Sequence, residues 1–308
     1  MVSEAGAVHA ATATLHFDVA CQLGESPVWC ARDNVVWWTD IEGRSVWRQG
    51  LDEPCGQRWD TPGRVGCLAL CTSGGLLLGM EDGLYRADPR QHRPGTGLAC
   101  TRLCTVPMPG TDMRINDGRL DRAGNLVFGA VNEHPSREPV AHFHQYSRGH
   151  GLRRLALPPA AIGNGICFTP DGTVMYYCDS LQRRIMQVPY DADTAQVGAP
   201  REFAVVDAPA EPDGAVVDAE GTLWSAQWGA GQVVGYSPQG AVRTVLNLPA
   251  RQPTCPVIAG SSLQALLVTS ARSGLDAAVV RAEPANGGVL LAQPAGLQGL
   301  PEARFNDA

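Results

Sequence analysis

The chain has no basic run, no CxxC pair, no apolar stretch long enough to cross a membrane and no sustained helical period. Each absence excludes something. A net charge of -7 without a positive cluster argues against nucleic acid or an anionic membrane surface as partner. The lack of a long apolar run removes a membrane-spanning helix, and the lack of a three-to-four-residue apolar period means that helices are few. Ten cysteines are present, but Cys67/Cys71 and Cys100/Cys104 do not have zinc-type spacing, and Cys167 and Cys178 take apolar places inside predicted strands. The start, Met1-Val-Ser-Glu-Ala-Gly-Ala-Val-His-Ala, has neither a positive beginning nor an apolar core, so no secretory signal is expected. Reduced, buried thiols and a cytoplasmic location are the expectation. No obligate protein partner is evident, because no apolar or aromatic cluster marks a docking rim.

What is abundant is turn chemistry, with Gly 35 and Pro 23. It is arranged in a repeat. Glu211-Pro-Asp-Gly-Ala-Val-Val-Asp-Ala-Glu-Gly-Thr-Leu-Trp-Ser-Ala-Gln-Trp228 reads as a polar turn, a short strand, a Gly turn and a second strand. Arg114–Gly129 and Gly163–Asp179 repeat the unit, and each copy places a polar residue just before its Gly: Asp117, Asn164 and Asp213. Fainter copies occupy Pro27–Asp40, Gly66–Gly79 and Pro256–Thr269. Their starts fall about 40 to 50 residues apart, the spacing of propeller blades. One such unit cannot cover both faces of its sheet, and closure into a ring supplies the missing neighbours. Further strand-like pieces at Gly83–Asp88, Arg184–Tyr190 and Gln232–Ser237 complete the blades. The expected architecture is all-β: one six-bladed β-propeller domain over 1–308, with a short N-terminal extension at about 1–12 and a metal site at one end of the central channel.

Leu23-Gly-Glu-Ser-Pro-Val-Trp29 puts Glu25 just before the first apolar strand, and the equivalent points of later repeats offer Asn164 and Asp213. Inner-strand entrances of a propeller converge on one end of the channel. Two carboxylates and an amide oxygen there suit a hard divalent cation, with positions left for water and substrate. Hardness favours Ca²⁺, Mn²⁺ or Mg²⁺, and Zn²⁺ also accepts carboxylates.

In their order, these motifs resemble the gluconolactonase and regucalcin (senescence marker protein) family of six-bladed propellers. The matching pieces are Gly24-Glu-Ser-Pro-Val-Trp29, Trp37-Trp-Thr-Asp-Ile41, Arg114-Ile-Asn-Asp-Gly118, Asn164-Gly165 with Tyr176-Tyr-Cys-Asp-Ser180, and Pro212-Asp-Gly214. Pro253-Thr254 and Val268-Thr-Ser270 fit the last blade, so the resemblance runs from about residue 23 to 270. It implies that Glu25, Asn164 and Asp213 bind one divalent metal, and that Arg114 and Asn116 contact a sugar lactone. Polyols need such donors. Arg114 has a structural alternative, pairing with a carboxylate such as Asp117, and Asp117 either lines the pocket or orients Arg114. Where relatives often carry an acidic pair that reads sugar hydroxyls, this chain has Val131-Asn-Glu-His-Pro135, which leaves Glu133 for that role beside His134. His142 and His144 share a strand face; a partly exposed strand position is the preferred reading over a metal site.

The implied reaction is metal-dependent hydrolysis of an aldonolactone to its aldonic acid, in a bacterial-type sugar oxidation route. Asp213 is the candidate general base. A carboxylate bound to a dication is a poor base, so Asp213 uses its free oxygen, shifts during the reaction, or yields the role to hydroxide. Two rivals stay open: a metal-dependent esterase or phosphotriesterase, and a non-enzymatic calcium-binding propeller.

Overall fold

A computed structural model describes residues 9–307 and arranges them as six small sheets around a central channel. The innermost strands, in chain order, are Gly24–Cys30, Val65–Leu70, Met113–Leu120, Gly163–Phe168, Glu211–Val217 and Pro253–Ala259. Each pairs antiparallel with the strand that follows it, and all six expected copies are these inner hairpins. Among the described residues a single short α-helix occurs, Ala277–Ala282.

Where a copy turns on a Gly, that residue has a backbone reason. Gly74, Gly124, Gly172 and Gly221 close four of these hairpins with φ between +75° and +91°, a conformation that a Cβ disfavours. In two of them an aspartate before the turn secures it. Asp121 Oδ1 accepts from the N–H groups of Ala123 and Asn125, and Asp218 Oδ1 does the same for Glu220 and Thr222.

Packing follows the ring. Six apolar clusters each bridge two neighbouring blades, and the last joins the sixth blade to the first through Val257, Leu267, Trp29 and Trp38. A fully buried leucine such as Leu77 contributes about 2 kcal/mol relative to exposure. No blade could keep both sides dry alone. The ten thiols are all free; seven of them, including Cys167 and Cys178, are buried.

Two features of closure were not anticipated. The outermost strand of the sixth blade is Thr14–Phe17, paired with Val289–Ala292, so the chain's beginning completes its end. The extension expected at about 1–12 is therefore shorter. His9–Thr12 already adds a fifth, parallel strand to Val242–Asn247 of the fifth blade, and residues 1–8 lie outside the described residues. The C-terminal segment then crosses one end of the channel. It bonds Ala219 and Leu263 on one side and reaches Leu70 and Thr72 on the other. Within it, Glu302 pairs with Arg119 at 2.9 Å.

Candidate active site

The opposite end of the channel is open and holds a cavity of about 380 Å³. Glu25, Arg114, Asn116, Glu133, Asn164 and Asp213 all line it. These residues come from four blades, and the fold has a device for aiming them. Every inner strand slips register at the same level, between Glu25 and Val28, Ile115 and Gly118, Asn164 and Cys167, and Pro212 and Ala215 in these four blades. A bulge of this kind re-aims side chains. It also corrects the expected equivalence: Glu25 and Asn164 share one register position, whereas Asp213 lies a residue further on, inside the bulge.

Backbone clamps hold these strands at the mouth. Asp40 accepts from the N–H groups of Gln22 and Leu23 at 3.0 and 2.9 Å, fixing the approach to Glu25. Asp179 treats Ala161 and Ile162 in the same way, at 2.9 and 3.1 Å, ahead of Asn164. Thr254 donates its hydroxyl to the carbonyl of Gly24 at 2.5 Å and so ties the sixth blade to the first beside Glu25. The aspartates that end the Trp37–Asp40 and Tyr176–Asp179 motifs thus serve geometry.

A relay of polar side chains crosses the cavity floor. Arg114 Nη1 donates to Asn116 Oδ1 at 2.7 Å, Asn116 Nδ2 donates to Asn164 Oδ1 at 2.7 Å, and Asn164 Nδ2 donates to Ser180 Oγ at 2.9 Å. This order sets both amides, leaving the Asn164 oxygen as the acceptor. Arg114 Nε meets Glu133 Oε1 at 3.0 Å, while Nη2 makes no protein hydrogen bond among the described residues.

Glu25 and Asp213 are different. Both are buried, and among the described residues neither is bonded by a cationic side chain. Glu25 Oε2 accepts only from the N–H of Ser26, at 2.8 Å. Burial, and then the nearby Asp117, push the Glu25 carboxyl up to about 8. Burial, followed by the charges of Glu25 and Asp117, raises Asp213 well above the carboxylate range. Two buried carboxylates that repel one another are costly unless something positive sits between them. With the Asn164 oxygen beside them, the donor set is all oxygen and fits a hard divalent cation. Among the described residues no group of three His, Cys, Asp or Glu side chains forms a metal cluster; this set includes an amide.

Several expectations need correction. The partner of Arg114 is Glu133, not Asp117. Asp117 neither lines the cavity nor bonds Arg114; its Oδ2 accepts from the N–H of Ile166 at 2.7 Å and stitches the third blade to the fourth. His134 sits on an exposed loop, bonded to Ser136, and does not line the cavity. His144 is buried and stacks on Phe128 at 5.5 Å, so it is a packing residue and not the partly exposed one expected.

One residue was missed outright. Arg64 holds Glu133 through both oxygens, at 3.1 and 2.8 Å, and also pairs with Glu42 and Glu81. Burial pushes the Glu133 carboxyl up, but Arg64 and Arg114 together outweigh it and hold it below its usual value. Arg64 lies in no copy of the repeat, so no pattern pointed to it.

The fold and this mouth define a six-bladed propeller with an oxygen-rich pocket at one end of its channel. The chain matches the SMP-30/gluconolactonase/LRE-like region over residues 23–272 and belongs to that family. It is 40% identical over 300 residues to L-arabinolactonase of Azospirillum brasilense, covering 96% of each chain. It is 31% identical over 268 residues to 6-deoxy-6-sulfogluconolactonase of Pseudomonas putida, covering 86% of this chain and 89% of that one. A crystal structure of regucalcin from Agrobacterium tumefaciens, described as a calcium-binding protein, superposes with a TM-score of 0.87 at 28% identity. That match covers 97% of this chain and 99% of the other.

Proposed function

We propose that this protein hydrolyses a sugar lactone to its aldonic acid, with one divalent cation held by Glu25, Asn164 and Asp213. The observation that carries the reading is the convergence of those three oxygen donors with Arg114, Asn116 and Glu133 in one cavity. The lactonase names of the relatives and the calcium-binding description of the bacterial regucalcin support it. A cation bound there would act as a Lewis acid on the lactone carbonyl.

The protein's own groups do the rest. Arg114 Nη2 donates to substrate hydroxyls, and Asn116 and Glu133 fix the ring's orientation. Asp213, which carries no side-chain donor, would take a proton from the water that attacks the carbonyl through whichever oxygen the cation leaves free. The ring C–O bond breaks, the proton passes to the departing oxygen, and a hydroxy acid leaves. A lactone of this kind arises when an aldose is oxidised at C1, so a sugar dehydrogenase is the class of enzyme that would supply it.

The test is a pH-indicator screen of pentono- and hexonolactones after chelation and reloading with Ca²⁺, Mn²⁺, Mg²⁺ or Zn²⁺. Glu25→Gln, Asn164→Ala and Asp213→Asn are then assayed for metal content and for hydrolysis separately. Turnover that survives Asp213→Asn unchanged would sink both roles given to Asp213. A large preference for an aryl ester over every sugar lactone would favour the esterase reading instead.

A further inference from the structure

Arg64 stands outside the cavity described above, yet it contacts the one carboxylate that faces Arg114. Its Nη1 and Nη2 reach Glu133 Oε1 and Oε2, at 3.1 and 2.8 Å, while Arg114 Nε shares Oε1 at 3.0 Å. Glu42 and Glu81 hold the other faces of the guanidinium at 3.2 and 2.8 Å. A second cavity of about 420 Å³ opens on the far side of this pair, lined by Arg64, Glu81, Asp112 and Glu133. Glu133 borders both cavities and is the wall between them.

We propose that Arg64 is a positioning residue for substrate recognition: it pulls Glu133 away from Arg114 Nη2 and so keeps that donor free for the sugar. This rests on the lactonase reading above. Arg114 is nearly inaccessible, with 7% of its side chain exposed, and needs a counter-charge. An arginine facing one carboxylate prefers the two-bond fork. Here the fork is prevented, because Arg64 occupies Oε2 and Glu133 is left with a single bond to Arg114. Without Arg64, Oε2 swings onto Arg114 Nη2 and consumes the donor. Arg64 touches no reacting atom, so its loss acts on the binding of substrate.

The experiment compares wild type, Arg64→Ala, Arg64→Lys, Glu133→Ala and the Arg64→Ala/Glu133→Ala double variant. Each is metal-loaded and assayed on gluconolactone and arabinolactone, with thermal midpoints measured in parallel. Arg64→Ala is expected to raise KM about tenfold, with kcat changed less than twofold. Arg64→Lys, which can hold one oxygen, recovers part of that loss. In the Glu133→Ala background, where nothing is left to swing, removing Arg64 adds no further rise in KM. An Arg64→Ala protein with wild-type KM overturns the assignment, as does a rise in KM that is undiminished without Glu133. A wild type that opens no lactone of the pentono- and hexonolactone screen sinks the lactonase reading itself and takes this inference with it.

Discussion

The two ends of the channel bury charge in opposite ways. At the closed end Arg119 is paired: Glu302 meets it at 2.9 Å, and the Pro256 carbonyl accepts from it at 3.3 Å. Burial would lower its proton affinity, but Glu302 outweighs that and raises it. At the open end Glu25 and Asp213 face the cavity with no cationic side chain bonded to either among the described residues. Buried charges are normally paired, so a matched pair reads as architecture, and an unmatched one is what the proposed cation would neutralise. The same channel contains both, and only the unmatched end has room for a ligand.

The sharpest way to break this contrast is Asp213→Asn. Activity on a sugar lactone should fall about 10³-fold, roughly 4 kcal/mol of transition-state stabilisation. The metal-free variant should nevertheless melt no lower than metal-free wild type, because one of two repelling carboxylates is gone. Paired activity and melting measurements check this, and a clear drop in the metal-free midpoint would mean that Asp213 is structural.

Glu302→Gln is the counterpart at the closed end. It strands a mostly buried guanidinium and should cost about 3 kcal/mol of unfolding free energy by denaturant titration. Catalysis on the folded protein should stay within about twofold, as Glu302 is no part of the mouth.

The smallest effect belongs to Asp307, which ends the crossing segment. Burial pushes its carboxyl up, but hydrogen bonds from Ser73 and Thr72, with the charge of Arg86, outweigh that and hold it down at about 2. A depressed carboxyl stabilises the fold above the unfolded value near 4, and that contribution disappears as pH falls toward 2. Asp307→Asn should therefore lower stability by about 1 to 2 kcal/mol at pH 7. The gap from wild type should close by pH 2. A gap that persists unchanged in acid would show that the ionised carboxylate is not what holds the segment.

How much of this could be read from the residues depends on how local each feature is. The inner hairpins were legible because each repeats a strand, a tight turn (closed by a Gly at positive φ in four of them) and a second strand within about 17 residues. Glu25, Asn164 and Asp213 were legible because each stands at the entrance of such a strand. Their one-residue difference in register was not, since a bulge leaves no mark on apolar spacing. Arg64 was invisible for a related reason. It sits in the Thr61-Pro-Gly-Arg64 connection, outside every copy, and its partners Glu42, Glu81 and Glu133 meet only once three blades are in place. Asp117 misled because its position in the repeat matched Asn164 and Asp213, while its carboxylate turned to a backbone N–H of the next blade. Neither the Thr14–Phe17 pairing nor the crossing of Glu302 is local, and neither could be seen in a pattern of neighbours.

The strand that seals the ring also sets a schedule. Leu15 pairs with Leu290, and Val289 packs into the same cluster as Phe17, so a strand made early in synthesis waits for the last strand of the sixth blade. At about 5–20 residues per second, that delay is on the order of a quarter of a minute to one minute. Throughout it Thr14–Phe17 and the first blade's side toward the sixth have no neighbour, and open strand edges invite wrong partners. A closed ring is thus a protein whose hazard is concentrated in its own birth. Once Leu15 finds Leu290, that interval of exposed edges is over.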